Sequence, residues 1–356
     1  MRITFVLPGP ARRPVGGYRV VYEYADRLAG RGHEVSVLHA VRVPYTPSRW
    51  PYLIRYTAHQ LLRTARPRWF RFRNRVILKT IPSIEDRHVP DADAVIATWW
   101  ATAYEVTKLR PACGKKYYLI QHYETWGGPA ELVNNSYLLG LRNIVIALWL
   151  KETLEQLGAR VAAHIPNGIN FELFRLYLSP EEREPHSVLW MYHPADWKGP
   201  EEGLRALLVA KEAVPDLKAT VFSTYPHPAF LPRWVDFVRN PAQRYLVELY
   251  NRHAIFLCSS RSEGWSLPPA EAMACGCAVV ATDSGGVRDY ILPGRTALLS
   301  PAGDAEALAQ NLIHLLCDNA LRIRLAKEGH KRISSFTWDR AVERFESLLR
   351  EEAWSK

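Results

Sequence analysis

Long apolar runs are missing from this chain of 356 residues, and over one stretch so is negative charge. No apolar run approaches the ~20 residues of a membrane-spanning helix, which leaves a soluble globular protein, 48% hydrophobic, as the class to expect. The opening Met1-Arg-Ile-Thr-Phe-Val-Leu-Pro8 is too short for the apolar core of a signal peptide and reads as a first strand. Cysteine is sparse, at positions 113, 258, 275, 277 and 317. Cys275-Gly-Cys277 has no neighbouring histidine or cysteine to complete a tetrahedral set, so zinc is excluded and buried, reduced thiols of a cytoplasmic protein are expected. Gly9-Pro-Ala does not continue into a G-x-G-x-x-G fingerprint, which excludes a dinucleotide site. No internal repeat or low-complexity tract is present.

What is there alternates. Ile3 to Leu7, His33 to His39, Ala94 to Thr98, Tyr117 to Gln121 and Asn143 to Ala147 read as short buried strands. A loop with Gly16-Gly17, a helix over Val20 to Arg31 and a helix over Leu148 to Leu157 lie between or after them. Ile165-Pro-Asn-Gly-Ile-Asn170 breaks the rhythm with turn chemistry. A second series follows: Val188 to Tyr192, Ala219 to Phe222, Ala254 to Cys258, Ala278 to Ala281 and Ala297 to Leu299, with helices between, then Asp304 heading Ala305 to Leu316, and a last amphipathic helix from Arg340 to Arg350. At this length two domains are expected, each a doubly wound parallel sheet. The reading places a first Rossmann-like domain at 1–170, a second at 171–335, and a final helix, 336–356, returning to the first.

The most informative segment is Arg261-Ser-Glu-Gly-Trp-Ser-Leu-Pro-Pro-Ala-Glu-Ala-Met-Ala-Cys-Gly276. It follows a buried strand, puts Pro268 and Pro269 where a helix can begin, and stops at Gly276. Backbone N–H groups at such a helix start can receive a phosphate. Glu263 and Glu271 would repel that phosphate, so they must be aimed at hydroxyls. A phosphate seat flanked by two hydroxyl acceptors suits a sugar nucleotide.

This segment resembles the E-x7-E signature of glycosyltransferase family 4, the retaining GT-B enzymes of the group 1 type. The resemblance is carried by Ser262-Glu-Gly264, Leu267-Pro-Pro-Ala-Glu-Ala-Met-Ala-Cys-Gly276, the strand Ala278-Val-Val-Ala-Thr282 and the loop Gly285-Gly286. The Gly-Gly opening, Gly32-His-Glu-Val35, Ile165-Pro-Asn-Gly-Ile169 and Phe336-Thr-Trp-Asp339 extend it over almost the whole chain, while Val41 to Pro90 matches nothing general. It implies a GT-B fold, α/β, with two Rossmann-like doubly wound domains facing each other across a cleft. It further implies that Glu271 bonds the ribose, and that Glu263 with the backbone of Gly264, Trp265, Ser266 and Leu267 holds the transferred sugar and phosphate. Lys198 in Asp196-Trp-Lys-Gly199 then grips the diphosphate, together with a basic residue five positions earlier that here is His193. His122, in Leu119-Ile-Gln-His-Tyr-Glu124, resembles the residue that faces the donor sugar from across the cleft, and this Gln-His-Tyr-Glu form is similar to a rhamnosyltransferase branch. Where the family often has Phe-Gly, this chain has Trp265-Ser266, and the indole is expected to reshape the sugar pocket. Gly16 and Gly17 are expected to let backbone approach the donor, with Tyr18 and Arg19 facing the diphosphate or the acceptor.

The expected reaction moves a sugar from a nucleoside diphosphate sugar to an acceptor hydroxyl with retention. Catalysis is expected from Lys198, Glu263 and His122, with closure of the two domains on the donor. No cofactor, no metal and no cation site of the Asp-x-Asp kind are expected. The rivals are a hydrolysing sugar-nucleotide epimerase of the same architecture and a non-catalytic sugar-nucleotide-binding protein.

Charge is the remaining feature. Between Val35 and Ile84 there are nine Arg, one Lys and no acid, whereas the other 306 residues carry 36 basic and 36 acidic side chains. Tyr45, Trp50, Tyr52, Tyr56, Trp69, Phe70 and Phe72 are interleaved. No nucleic-acid motif accompanies the stretch, and nucleic acid is not expected as a partner. From Arg49 to Arg75, with Arg66, Arg68, Arg71 and Arg73 foremost, an acceptor-side surface is expected, docking on an anionic membrane, a lipid-linked acceptor or a glycan.

Overall fold

The computed structural model describes residues 1–45, 48, 50–62 and 64–354. Arg49, the head of the expected basic surface, lies outside these. The chain divides into two compact units, the first formed by 1–167 with 338–356 and the second by 168–337.

In the first unit the order is β1 (Arg2–Leu7), α1 (Gly16–Gly30), β2 (Glu34–Arg42), α2 (Tyr52–Leu61), β3 (Ile77–Ser83), β4 (Ala94–Ala97), α3 (Trp100–Lys108), β5 (Lys115–Ile120), α4 (Ala130–Ser136), β6 (Arg142–Val145), α5 (Leu148–Gln156) and β7 (Val161–His164). Its seven strands are all parallel, in the order β3-β2-β1-β4-β5-β6-β7. The inner strands β1 and β4 carry apolar residues on both faces and, apart from Arg2 at the start of β1, are buried, because helices cover the sheet on each side. Four elements depart from the sequence reading. Helix α2 and strand β3 both lie inside Val41 to Pro90, where no element was read. Strand β7 was not expected either. Helix α1 begins at Gly16 rather than Val20, with the Arg19 N–H already donating to the Val15 carbonyl, so Gly16-Gly17 form its first turn rather than a loop. A first turn asks little of glycine, since its N–H groups have no partner inside the helix anyway.

The second unit runs β8 (Glu184–Met191), α6 (Pro200–Ala213), β9 (Lys218–Ser223), β10 (Val235–Arg239), α7 (Gln243–Arg252), β11 (His253–Cys258), α8 (Leu267–Ala274), β12 (Ala278–Thr282), β13 (Leu298–Ser300), α9 (Ala305–Cys317) and α10 (Asn319–Ile333). Its sheet is again parallel throughout, in the order β10-β9-β8-β11-β12-β13. Strand β10 went unread in the sequence. Asp304 caps α9 through its carboxylate, which accepts the Ala307 N–H at 2.9 Å. Cys113, Cys258, Cys275 and Cys277 are buried as expected, but Cys317, at the end of α9, is exposed.

The last helix, α11 (Trp338–Trp354), belongs to the first unit. Trp338, Val342, Phe345 and Leu349 recur at helical spacing and are buried. Tyr24 of α1 meets Trp338 edge-on at 5.3 Å and Phe345 at 4.7 Å, and Phe5 of β1 stacks on Phe345. Arg27 pairs with Asp339, and Arg31 with Glu346, at the rim.

Candidate functional site

In a sheet of this order, strand connections reverse direction between β8 and β11, and ligands of doubly wound folds gather beyond the strand ends at that switch. The loops leaving these two strands are stitched together. The Ser259 hydroxyl donates to the Lys198 carbonyl at 3.2 Å, and the Arg261 N–H to the Trp197 carbonyl at 2.8 Å. Gly199 ends a single turn over Asp196–Lys198 in the left-handed conformation, at φ 58°, and hands the chain to Pro200 and α6. A Cβ there would come within 1.9 Å of the Ser259 carbonyl oxygen, so both its conformation and its closeness require glycine.

Across this seam Lys198 Nζ donates to Glu263 Oε1 at 2.7 Å, and the Ser260 hydroxyl donates to the same oxygen at 2.7 Å. Glu263 is buried, and its backbone is fixed by the Ser284 carbonyl and a bridge to Gly285. Gly286 lies so close beneath that an added Cβ would be 2.5 Å from the Gly264 carbonyl oxygen. The chain then turns sharply. Ser266 adopts φ 61°, a left-handed conformation unusual for a residue with a Cβ, and Tyr290 holds it by donating to its carbonyl at 2.8 Å. Helix α8 follows at once. Pro268 and Pro269 have no N–H, so Leu267 supplies the one backbone donor of its first three positions, fewer than a helix start ordinarily offers.

The expected residues are not all disposed as foreseen. Glu271 is buried on α8 and accepts the Tyr250 hydroxyl at 3.3 Å. Trp265, expected to shape the sugar pocket, is buried inside the second unit. Its indole is only 2% exposed, packed against Tyr290 at 4.9 Å and Phe336 at 5.9 Å. His193 lies beside Tyr225, ring centroids 4.7 Å apart, and its Nδ1 accepts the Ala195 N–H at 3.1 Å, which puts the ring proton on Nε2. Burial first, then the Lys198 charge, lowers its pKa to about 4 against an opposing pull from Glu263, so it is a neutral N–H donor at neutral pH.

In the first unit, His122 follows β5 and is ringed by Trp126 and Trp149, at 6.4 and 5.9 Å. Gly17 approaches the end of the same strand: a Cβ on it would touch the Gln121 amide at 3.4 Å. Gly16 and Arg19 share that first stretch of α1. The Tyr18 hydroxyl donates to the Pro8 and Gly9 carbonyls. Arg66, Arg68, Arg71 and Arg73 are exposed in the segment leading to β3, with the Arg73 N–H tied to Asp26. Trp69, Phe70 and Phe72, expected on that surface, turn inward around Tyr22. Asp91-Ala-Asp93 does have Asp-x-Asp spacing, but Asp91 pairs with Arg110 and Asp93 accepts the Arg2 N–H. Among the described residues no cluster of three or more His, Cys, Asp or Glu could hold a metal ion.

Sequence reasoning missed Ser260, Tyr225 and Glu124. The hydroxyl pair Ser259-Ser260 directly after a buried strand was the available signal for the first. Glu124 is buried, and its Oε2 accepts the Trp100 N–H at the start of α3 at 3.0 Å. Burial lifts its pKa from 4.5 to about 8 despite the Trp100 and Tyr118 hydrogen bonds that favour charge. Between those two values the folded protein holds the extra proton, so this group costs stability as pH rises. Glu124→Gln should therefore gain on the native chain from pH 5 to 8, by at most about 1.4 kcal/mol per unit. Urea unfolding at a series of pH values measures that gap, and a gap that does not change with pH refutes the buried proton.

Residues 229–332 match the family model described as glycosyl transferases group 1. The second unit carries a glycosyl transferases group 1 domain. The group 1 domain holds Glu263, Glu271 and the Ser266 turn, while Lys198 reaches it from the preceding loop. Over 267 residues, 72% of its length, the chain is 30% identical to the O-antigen biosynthesis protein RfbC of Myxococcus xanthus, covering 20% of that protein. It is 39% identical over 74 residues to the lipopolysaccharide core biosynthesis mannosyltransferase LpcC of Rhizobium leguminosarum bv. viciae, 21% of each chain. The chain thus spans about a fifth of the length of each of these two relatives. In fold it is similar to HepE of Anabaena, solved in complex with UDP-glucose, with a TM-score of 0.73 at 16% identity over 99% of this chain and all of that one. The two parallel sheets and this likeness give the group 1 domain its setting, a GT-B fold of two Rossmann-like domains.

Proposed function

We propose that this protein is a retaining glycosyltransferase that moves a hexose from a nucleoside diphosphate sugar to a hydroxyl of a glycan or lipid-linked glycan, in cell-surface polysaccharide or glycolipid synthesis. The observation that carries the reading is the Lys198–Glu263 pair at the β8/β11 switch of a group 1 domain. An ammonium group has three N–H donors, so Lys198 can hold Glu263 and still reach a phosphate oxygen. Glu263, oriented through one oxygen, keeps its other oxygen for a sugar hydroxyl, and Glu271 takes the ribose. The Leu267 N–H and the neutral Nε2–H of His193 add donors for the diphosphate, and Gly16 and Gly17 let the α1 start approach it. His122 is assigned to a sugar or acceptor hydroxyl. Charge grows on the departing diphosphate, and fixed donors meet it without a metal. As the resemblance implies, a front-face reaction in which the leaving phosphate takes the acceptor's proton is favoured.

The names of RfbC and LpcC support a polysaccharide or lipopolysaccharide acceptor, and the ligand of HepE supports a nucleotide-sugar donor. Such acceptors are assembled at membranes, so a cytoplasmic protein in peripheral contact with one is part of the proposal. The test is a thermal-shift screen across UDP-, GDP-, ADP- and dTDP-sugars, followed by mass spectrometry of products with an acceptor glycan and assignment of the new anomeric centre. Donor consumed equally without acceptor would make the protein an epimerase or hydrolase. Donor bound but never consumed would make it a binding protein.

A further inference from the structure

Helix α2 is amphipathic in the wrong sense for a soluble domain. A helix on a sheet ordinarily turns its apolar stripe inward. Here the half-buried side carries Tyr52, Arg55, Tyr56 and His59, with no aliphatic residue on it. Tyr52 lies under the Arg42 guanidinium, 5.4 Å from ring centroid, His59 bonds Thr64 at 2.8 Å, and the Gln60 amide donates to the Thr80 carbonyl of β3. The outward face, at the spacing of one helical side, is Leu53, Ile54, Thr57, Ala58 and Leu61, with no charge on it. Leu53 is 58% exposed, Ile54 54% and Leu61 79%, and Trp50 and Leu62 at the two ends are as open. Thr57 does not make this face polar, because its hydroxyl is turned back on the Leu53 carbonyl at 3.0 Å. None of α2's residues is buried. An aliphatic patch of this kind on a protein surface marks something that covers it.

Charge says what. Arg12 and Arg55 lie close enough to His59 to join burial in lowering its pKa. With Arg42 they surround the flank of the helix, and the exposed Arg66, Arg68 and Arg71 follow it in the chain. A second copy would bring two basic faces together. A glycan would meet Leu and Ile where it needs hydrogen-bonding partners. Aliphatic side chains ringed by guanidinium groups, with no acid over fifty residues, match the acyl boundary and phosphates of an anionic lipid layer.

We infer that α2 is a membrane-docking element, with Trp50, Leu53, Ile54 and Leu61 entering the headgroup layer of an anionic bilayer while the surrounding arginines bind lipid phosphates. Binding needs neither donor nor acceptor, so its test is separate from that of the proposed reaction. The protein is sedimented with vesicles of phosphatidylcholine alone and of phosphatidylcholine with phosphatidylglycerol, at low and physiological salt. The variants are Leu53→Ser/Ile54→Ser/Leu61→Ser, Ile54→Ser alone, and Arg66→Ser/Arg68→Ser/Arg71→Ser/Arg73→Ser, each checked for an unchanged melting temperature. The native chain should pellet with anionic vesicles only, and both multiple variants should lose about tenfold or more in vesicle affinity. Only the arginine variant should lose most of the salt dependence. Ile54→Ser, which removes one exposed side chain, gives the same direction with a smaller loss. Equal binding to neutral and anionic vesicles, or none to either, overturns the inference. So does undiminished binding of the leucine-face variant. A soluble polysaccharide held by the native chain and released by the same substitutions would assign the face to an acceptor glycan instead.

Discussion

Lys198→Ala should lower turnover of bound donor about a hundredfold, which is about 3 kcal/mol of transition-state stabilisation, while donor affinity changes much less. The asymmetry follows from when the charge appears: the diphosphate gains charge as the glycosidic bond breaks, so an ammonium beside it is worth more in the transition state than in the ground state. The substitution also leaves the buried Glu263 carboxylate with the Ser260 hydroxyl in place of its cation. That costs stability on the order of 1–3 kcal/mol, and a melting curve would show it. The double variant Lys198→Ala/Glu263→Gln separates the two effects. It should recover most of the lost stability, because no unpaired charge remains, and recover none of the turnover. Single-turnover kinetics at saturating donor, set beside unfolding curves of the three proteins, makes the comparison. Near-native turnover of Lys198→Ala would remove the lysine from the catalytic role.

The second large effect is structural. Gly199→Ala should destabilise the second unit by about 3 kcal/mol or more, since it combines a left-handed backbone with a clash that no side chain can relieve. The obstructing atom, the Ser259 carbonyl oxygen at 1.9 Å, is main chain at the exit of β11. The loops after β8 and β11 must therefore part, and with them Lys198 from Glu263. Donor affinity and turnover should both fall even at temperatures where the protein stays folded. Gly303→Ala is the control: φ is +81° there but no atom lies within 4 Å of the added Cβ, so its cost should be the backbone strain alone. Similar losses from the two substitutions would mean that the contact with Ser259 is not what matters.

The strands visible in the sequence were chiefly the ones a sheet buries on both faces, such as Ala94–Ala97, Ala278–Thr282 and His253–Cys258. Those overlooked, β3, β7 and β10, are all edge strands. With one side open to water they carry Lys79 and Pro82, His164, or Asp236 and Arg239, and so lack an unbroken apolar run. The same division runs through the site. The strand–loop–helix around Glu263 and Glu271 is local and could be read. The hydrogen bonds that shape it were beyond reach, because Ser260 and Lys198 meet on one oxygen only once β8 and β11 are neighbours. Trp265 misled for a related reason: the rings that bury it, Tyr290 and Phe336, are far along the chain. Glu124 looked like any loop carboxylate, and its burial depends on a helix start 24 residues away in sequence.

The first unit is discontinuous, and this sets the order in which the molecule can be finished. Residues 168–337 form an uninterrupted segment with their own sheet and core, so they can complete their fold as soon as they clear the ribosome. The seven-stranded sheet is synthesised earlier, yet Phe5 and Tyr24 acquire their cover only when the last stretch of chain delivers Trp338 and Phe345. Until then an aromatic face of the earlier-made unit stays wet, throughout the time needed to translate the later one. A chain cut before Trp338 would therefore damage the unit made first and leave the one made second intact.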